Sequence, residues 1–493
     1  MALVSSISAF AQSSFEEFQK QHQQRFQQFK DDQQRKFDEF RKEKNQKYAE
    51  FLKEKWEIFD AQPKEEPISE APVPPVVYEE PTPTPTPTPQ PQPTPILVED
   101  EPIVIPEPEP QPEPIVPIVP QEDLNYRPIK IAFFGSSVEI RFPKSDNFKI
   151  NNISDNDLAQ AWELLMNEQY DVVISDALKV RSELNLCDWA YIEMLQLITE
   201  KAYGKGTNEA SFMQAYILVQ SGYKIRLAHS EQKMYMLVAS QHSILDMSYF
   251  VIDNEKFYPL NCKEDELYIS EATFDSEKPL SLHITSEQKL QYESTPIRTL
   301  TSKNKVSAQV CTNMNLIDFY NTYPSSYINE DFGTRWAAYA NTPFDVRIQQ
   351  KLYPQLKASI NGKSQWEAVN ILLNWVQTAF TYEYDDKVWG EDRAFFPEET
   401  LYYPYCDCED RSILFSRIVR DLLNLDVVLL YYPGHLATAV HFTDDANGDY
   451  LYVNNQRYIV CDPTYIGAPV GATMPGMDNQ TAKVIILSKS NKH

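Results

Sequence analysis

Proline limits what this chain can fold into more than any other residue. Of its 35 prolines, 22 crowd into residues 63–128, and no glycine precedes Gly135. A proline ring fixes φ and removes the backbone donor, so neither a helix interior nor a central strand can be built there. The Thr-Pro run of residues 81–89 and the Glu-Pro run of residues 107–114 predict a stiff, polyproline-like linker over residues 61–128, disordered in the packing sense. The chain is 493 residues long, so two or three packed domains fit after the linker.

Ahead of the linker, aromatic residues recur every 11 positions. Phe15, Phe26, Phe37, Tyr48 and Phe59 form one track, and Phe18, Phe29, Phe40 and Phe51 a second. Eleven residues make about three helical turns, so both tracks stay near one face of a single helix. Residues 12–60 are therefore expected to form a long helix, a thinly striped stalk that either self-associates weakly or docks in a partner's groove. Ahead of it, residues 1–11 end in Ala9-Phe-Ala11, a small-residue cleavage pattern behind an apolar stretch. That reads as a signal peptide and predicts export to the periplasm, the cell surface or the medium.

The formal charge is −26, which argues against a nucleic-acid partner, since phosphate binding needs a basic face. Residues 13–60 hold 11 basic and 11 acidic side chains, and residues 61–128 hold 2 and 13. Acidity spread in this way serves solubility. No apolar run reaches the roughly 18 residues of a membrane span. Six cysteines in so long a chain do not make a disulfide scaffold.

Chemistry gathers near the C-terminus. After Cys406-Asp-Cys408-Glu-Asp410, the residues Ile413, Leu414, Ile418, Val419 and Leu422 recur at helical spacing, placing Cys408 in the first turn of an amphipathic helix. A helix N-terminus is expected to lower a thiol's pKa and to offer N–H groups to an oxyanion. Strand-like runs follow, with His435 opening one after Pro433-Gly434 and Asp462 closing another before Pro463-Thr464. A cysteine on a helix end with a histidine and an aspartate from neighbouring strands is the arrangement of nucleophile, base and orienting carboxylate.

These motifs, Asp407-Cys408-Glu409-Asp410 with its helix, Gly434-His435 and Asp462-Pro463-Thr464, resemble the transglutaminase-like superfamily of papain-type cysteine peptidases and acyltransferases over about residues 345–475. The resemblance implies an α+β fold with a papain/transglutaminase-like core, in which a Cys-bearing helix packs on an antiparallel sheet. It implies Cys408 as nucleophile, His435 as base and Asp462 as the residue that holds the imidazole. The chain departs from many members by having Cys406 where they carry Gly and Ala437 where they carry an aromatic.

Other readings of the same residues stand beside this one. Cys406 and Cys408 could form a metal pair, but a second pair at metal spacing is absent, so neither metal nor cofactor is expected. His441 competes with His435, which is preferred because it sits at the strand mouth. Cys461 and Cys187 read as structural, and Trp389, Tyr405 and Gln377 are candidates for an additional oxyanion donor.

The catalytic region also has an earlier echo. Trp189-Ala-Tyr-Ile-Glu-Met-Leu lies over Trp366-Glu-Ala-Val-Asn-Ile-Leu at an offset of 177, and residues 222–227 over 424–429 at 202. Residues 254–261 lie over 455–462 at 201, with an insertion at about 382–404 absorbing the difference. Cys408 then falls on Gly206 or Thr207, His435 on Lys233 and Asp462 on Asn261.

The organisation expected after the linker is a degenerate transglutaminase-like domain at residues 129–262, a β-rich connection at 263–344 and a catalytic domain at 345–493. The expected function is that of an exported peptidase or amidase acting on protein or peptide substrates through a thioester, with acyl transfer to an amine equally open. The alternative is a noncatalytic cell-envelope scaffold that keeps the fold.

Overall fold

The computed structural model describes residues 42–54, 56–66, 72–79, 95–96, 101–115 and 125–488 except 232, 261 and 478–480, with a few isolated positions besides. The leader pattern, most of the 11-residue repeat and the Thr-Pro run lie outside the described residues. Helices and curled, mostly antiparallel sheets make the fold α+β. Among the described residues no helix is long and apolar enough to cross a membrane.

Two six-stranded sheets dominate. The first holds β1 (Glu57–Asp60), β2 (Ile225–His229), β3 (Met234–Ala239), β4 (Phe250–Ile252), β5 (Glu255–Pro259) and β6 (Glu266–Ile269), in the order β4-β5-β3-β2-β6-β1. The second holds β7 (Val427–Tyr432), β8 (His435–His441), β9 (Tyr450–Val453), β10 (Gln456–Cys461) and β11 (Lys483–Ile486), in the order β9-β10-β8-β7-β11, with Ile103–Val104 at its edge. The five strands that each sheet takes from its own unit therefore run in the same order. Their ladders also match residue by residue. Ile225 pairs with Val238 as Val427 pairs with Val440, Leu237 with Pro259 as Ala439 with Val460, and Phe250 with Phe257 as Leu451 with Tyr458. These are the offsets of 202 and 201 read from the sequence.

Each sheet has a helix pair. In the first unit these are α1 (Asp188–Tyr203) and α2 (Asn208–Gln220), and in the second α3 (Gln365–Ala379) and α4 (Cys408–Leu423). Strand alternation sorts the second sheet's side chains onto two faces. Leu429 and Leu436 join the cluster that contains Cys408, while Val428, Leu430 and Tyr432 face the other way, under Ile96 of the proline-rich stretch. The connection at 263–344 supplies β6, a hairpin of Arg298–Thr301 with Ser307–Val310, the strand Ser326–Ile328 and the helices Met314–Tyr320 and Thr334–Asn341.

The structure corrects two expectations. The helix reaching toward residue 60 stops at Phe51, and residues 57–60 form β1, paired with β6. Nor is its described end a solvated stalk. Tyr48 is 2% exposed, between Trp162 and Phe274 at ring distances of 4.3 and 4.7 Å, and Asn45 accepts from Trp162 Nε1 at 3.2 Å. Buried side chains such as Tyr48, Leu52 and Trp56 contribute about 2 kcal/mol apiece, enough to hold this end on its own domain.

The linker, in its described stretches, is likewise no free spacer. Ile103–Val104 pairs in parallel with β11, Ile96 donates to Tyr450 O at 2.6 Å, and Gln111 Nε2 donates to Asp188 Oδ1 at 3.0 Å. Proline carbonyls and the N–H groups of interspersed Val, Ile and Gln still bond, and a stiff extended chain loses little entropy when it lies along a sheet edge.

Candidate active site

Asp407 caps α4, and its N–H donates to Asp410 Oδ2 at 3.2 Å. Cys408 is the first helical residue, as its position before the apolar spacing predicts. His435 opens β8 across a two-residue turn from Tyr432. There Gly434 takes φ +71°, with Pro433 before it, the sequence of a type II turn. Asp462 follows β10.

The imidazole and the carboxylate meet. His435 Nε2 lies 2.9 Å from Asp462 Oδ2, with both residues at 2% exposure or less. Asp462 Oδ1 accepts from the N–H groups of Thr464 at 2.8 Å and Tyr465 at 3.1 Å, so its orientation is set by backbone. Gln377 locks that loop from outside. Its Nε2 donates to the carbonyls of Asp462, Tyr465 and Ala468, and its Oε1 accepts from Gly467 at 3.1 Å.

Gln377 thus has no donor left for an oxyanion. Of the other two candidates, Trp389 packs edge-on to Tyr403 and Phe395, and Tyr405 is exposed. None of the three lines the site cavity.

That cavity measures about 350 Å³ and is lined by Cys408, His435, Asp407, Glu409 and Leu436, among others. The 382–404 segment contributes Tyr384, Asp385 and Asp392, while Arg335 and Trp336 come from the helix Thr334–Asn341. The sequence reading missed these residues. The insertion relative to the first unit was the available signal, since an insertion beside a catalytic motif tends to build the site's walls.

The thiol bonds a carboxylate, not the imidazole. Cys408 Sγ donates to Glu409 Oε2 at 3.1 Å, whereas His435 Nδ1 is buried with no hydrogen-bond partner. Burial first, then the carboxylates of Glu409 and Asp407, push the thiol well above the ordinary cysteine range, although the N–H of Leu436 acts against this. The expected lowering at a helix N-terminus is overridden here. Acid groups crowd the same spot, and oxygens of Asp385, Asp392 and Glu409 lie within 4.8 Å of one another, close enough to share a cation. Arg335 meets part of this charge through Asp392 at 2.7 Å. Burial and Glu409 push the Asp385 carboxyl up to about 8.

The competing residues fall elsewhere. Cys406 is buried beside Arg411 and lines no part of the cavity, and among the described residues the clusters able to ligate a metal include Cys408 but not Cys406. His441 bonds the Arg457 carbonyl at 2.9 Å, and Cys461 is a core residue. All six cysteines are free.

In the first unit, Asn208 Oδ1 accepts from Met234 N at 3.0 Å, in the place where the Leu436 N–H reaches Cys408. Asn208, one residue after Thr207, is therefore the counterpart of Cys408. Lys233 stands where His435 does, beside a cavity of about 310 Å³, and Asn261 lies outside the described residues. No protein-family model matches the chain, and no curated protein does either.

Proposed function

We propose that the C-terminal unit is a transglutaminase-like cysteine peptidase, amidase or acyltransferase, and that the first unit is its degenerate copy. One observation carries this reading. A buried His435–Asp462 pair leaves Nδ1 without a partner on a cavity that Cys408 also lines. Rotation of the Cys408 side chain away from Glu409 would bring the sulfur to Nδ1, which takes the thiol proton. The sulfur then forms a bond to a substrate amide carbon, whose π electrons move to oxygen near the N–H groups of the first turn of α4. Collapse breaks the C–N bond, His435 returns the proton to the leaving amine, and water or a second amine resolves the thioester. Asp462 keeps the imidazole in the tautomer that presents Nδ1 as acceptor.

The first unit lacks this chemistry by the same logic, since Asn208 and Lys233 supply neither a nucleophile nor a base for it. Export rests on the Ala9-Phe-Ala11 pattern alone.

The scaffold alternative draws on the Glu409 contact and the raised thiol, which would suit a retired site. Incubating the chain with an amide-bearing chromogenic peptide and seeking an acyl adduct on Cys408 by mass spectrometry decides between the two. An adduct lost in Cys408→Ala supports the enzyme. Its absence over the whole range from pH 5 to pH 9 would favour the scaffold.

A further inference from the structure

Residues 72–78 cross the rim of the candidate site in an extended form, although the sequence marks them as part of a spacer. Val73 N–H donates to the carbonyl of Gly434, the residue before His435, at 2.9 Å. Further along, Ile466 N–H donates to Val76 O at 2.8 Å and Tyr78 N–H to Ile466 O at 2.9 Å, a parallel bridge centred on Val77. Over residues 76–78 the side chains alternate as in a bound strand. Val76 and Tyr78 pack with the cluster of Tyr465 and Met474, while Val77 is 62% exposed. Val73, on the other parity, also packs with this cluster. Only Pro72, at the N-terminal end, lines the cavity that holds Cys408.

We infer that this groove is the polypeptide-binding track of the candidate enzyme, and that the chain's own residues 72–78 fill it as a displaceable strap. The inference rests on the proposed function for its meaning but not for its test. Main-chain bonds to a glycine carbonyl and an isoleucine recognise an extended backbone whatever its sequence, and Tyr465 and Met474 add a preference for apolar or aromatic side chains, as Val76 and Tyr78 show. The direction is also set. Because Pro72 is at the cavity and the later residues lead away, the track takes the part of a substrate C-terminal to its reacting residue. The substrate class is thus an extended, apolar, proline-tolerant segment of polypeptide.

The experiment uses the full-length chain and a fluorescent peptide with the sequence of residues 71–80. In Val76→Asp/Tyr78→Ala, the strap should lift and the labelled peptide should bind, whereas the natural chain should bind it at least about tenfold more weakly. A milder variant, Val73→Pro, removes only one N–H donor and should shift binding the same way if the double variant fails to fold. Peptide carrying Val76→Asp should not bind. Equal binding to the natural chain and to both variants overturns the track. If the peptide binds while no acyl adduct ever forms on Cys408, the track stands and the enzymatic reading falls. If adducts form while the strap variants bind no peptide, the track alone falls.

Discussion

The thiol of Cys408 donates to Glu409 at 3.1 Å, whereas the ring nitrogen of His435 that should receive its proton has no partner. The two residues adjoin in sequence at the first turn of one helix, so the carboxylate sits where it raises the thiol's pKa. Replacing it isosterically, Glu409→Gln, removes a negative charge beside the developing thiolate and should lower that pKa. Alkylation of Cys408 by iodoacetamide, followed from pH 6 to pH 10, should then run about tenfold faster at neutral pH. An unchanged rate would mean that burial alone restrains the thiol.

Substitutions in the proposed triad separate chemistry from packing. Cys408→Ala and His435→Ala should abolish adduct formation while leaving the circular dichroism spectrum intact. Asp462→Asn should be slower by roughly a hundredfold to ten-thousandfold, because it unsettles the imidazole tautomer. Cys406→Ala should keep activity, since that sulfur lies against Arg411 and not in the cavity. Loss of adducts with Cys406→Ala and their survival in Cys408→Ala would reverse the assignment.

Gln377 ties the loop after Asp462 to α3, donating to three carbonyls and accepting from Gly467. Gln377→Leu has similar volume but leaves those buried groups unpaired, so a loss of about 2–4 kcal/mol in stability is expected. Denaturant titration measures it. The rate of adduct formation should fall as well, because the carboxylate that steadies His435 is carried by that loop.

How much of this was legible differs from feature to feature, for physical reasons. The positions of Cys408, His435 and Asp462 were readable because a helix start and two strand ends place them through local pattern. The ladder pairs of the two sheets follow offsets visible in the sequence, since a one-residue slip would turn every buried side chain outward. The burial of Tyr48 was not readable, because an aromatic stripe looks the same whether it meets another molecule or Trp162 of its own chain. Proline content showed that residues 61–128 could not fold by themselves, but it carried no information about where Val73 or Ile103 would bind. The Glu409 contact was hidden for a different reason. Helix-dipole reasoning takes no account of how deeply the thiol is buried.

Buried carboxyls make the last prediction. Glu398 is fully buried. One of its oxygens accepts from Asp345 N–H at 2.9 Å while the other has no partner, and burial pushes its carboxyl up to about 8. Its folded pKa lies above its unfolded one of about 4.3, so the folded chain holds a proton over that window where the unfolded chain has lost it. The contribution to stability is fully present below the unfolded value and is lost as pH rises through about 8. Asp385, also pushed up to about 8, acts in the same direction. The melting temperature should therefore fall as the pH is raised from about 5 to about 8.5. Glu398→Gln keeps the shape and the acceptor for Asp345 but cannot ionise, so it should flatten this decline and be the more stable protein at the alkaline end. Parallel melting curves for the variant and the natural chain over this range would show that Glu398 is already ionised in the fold.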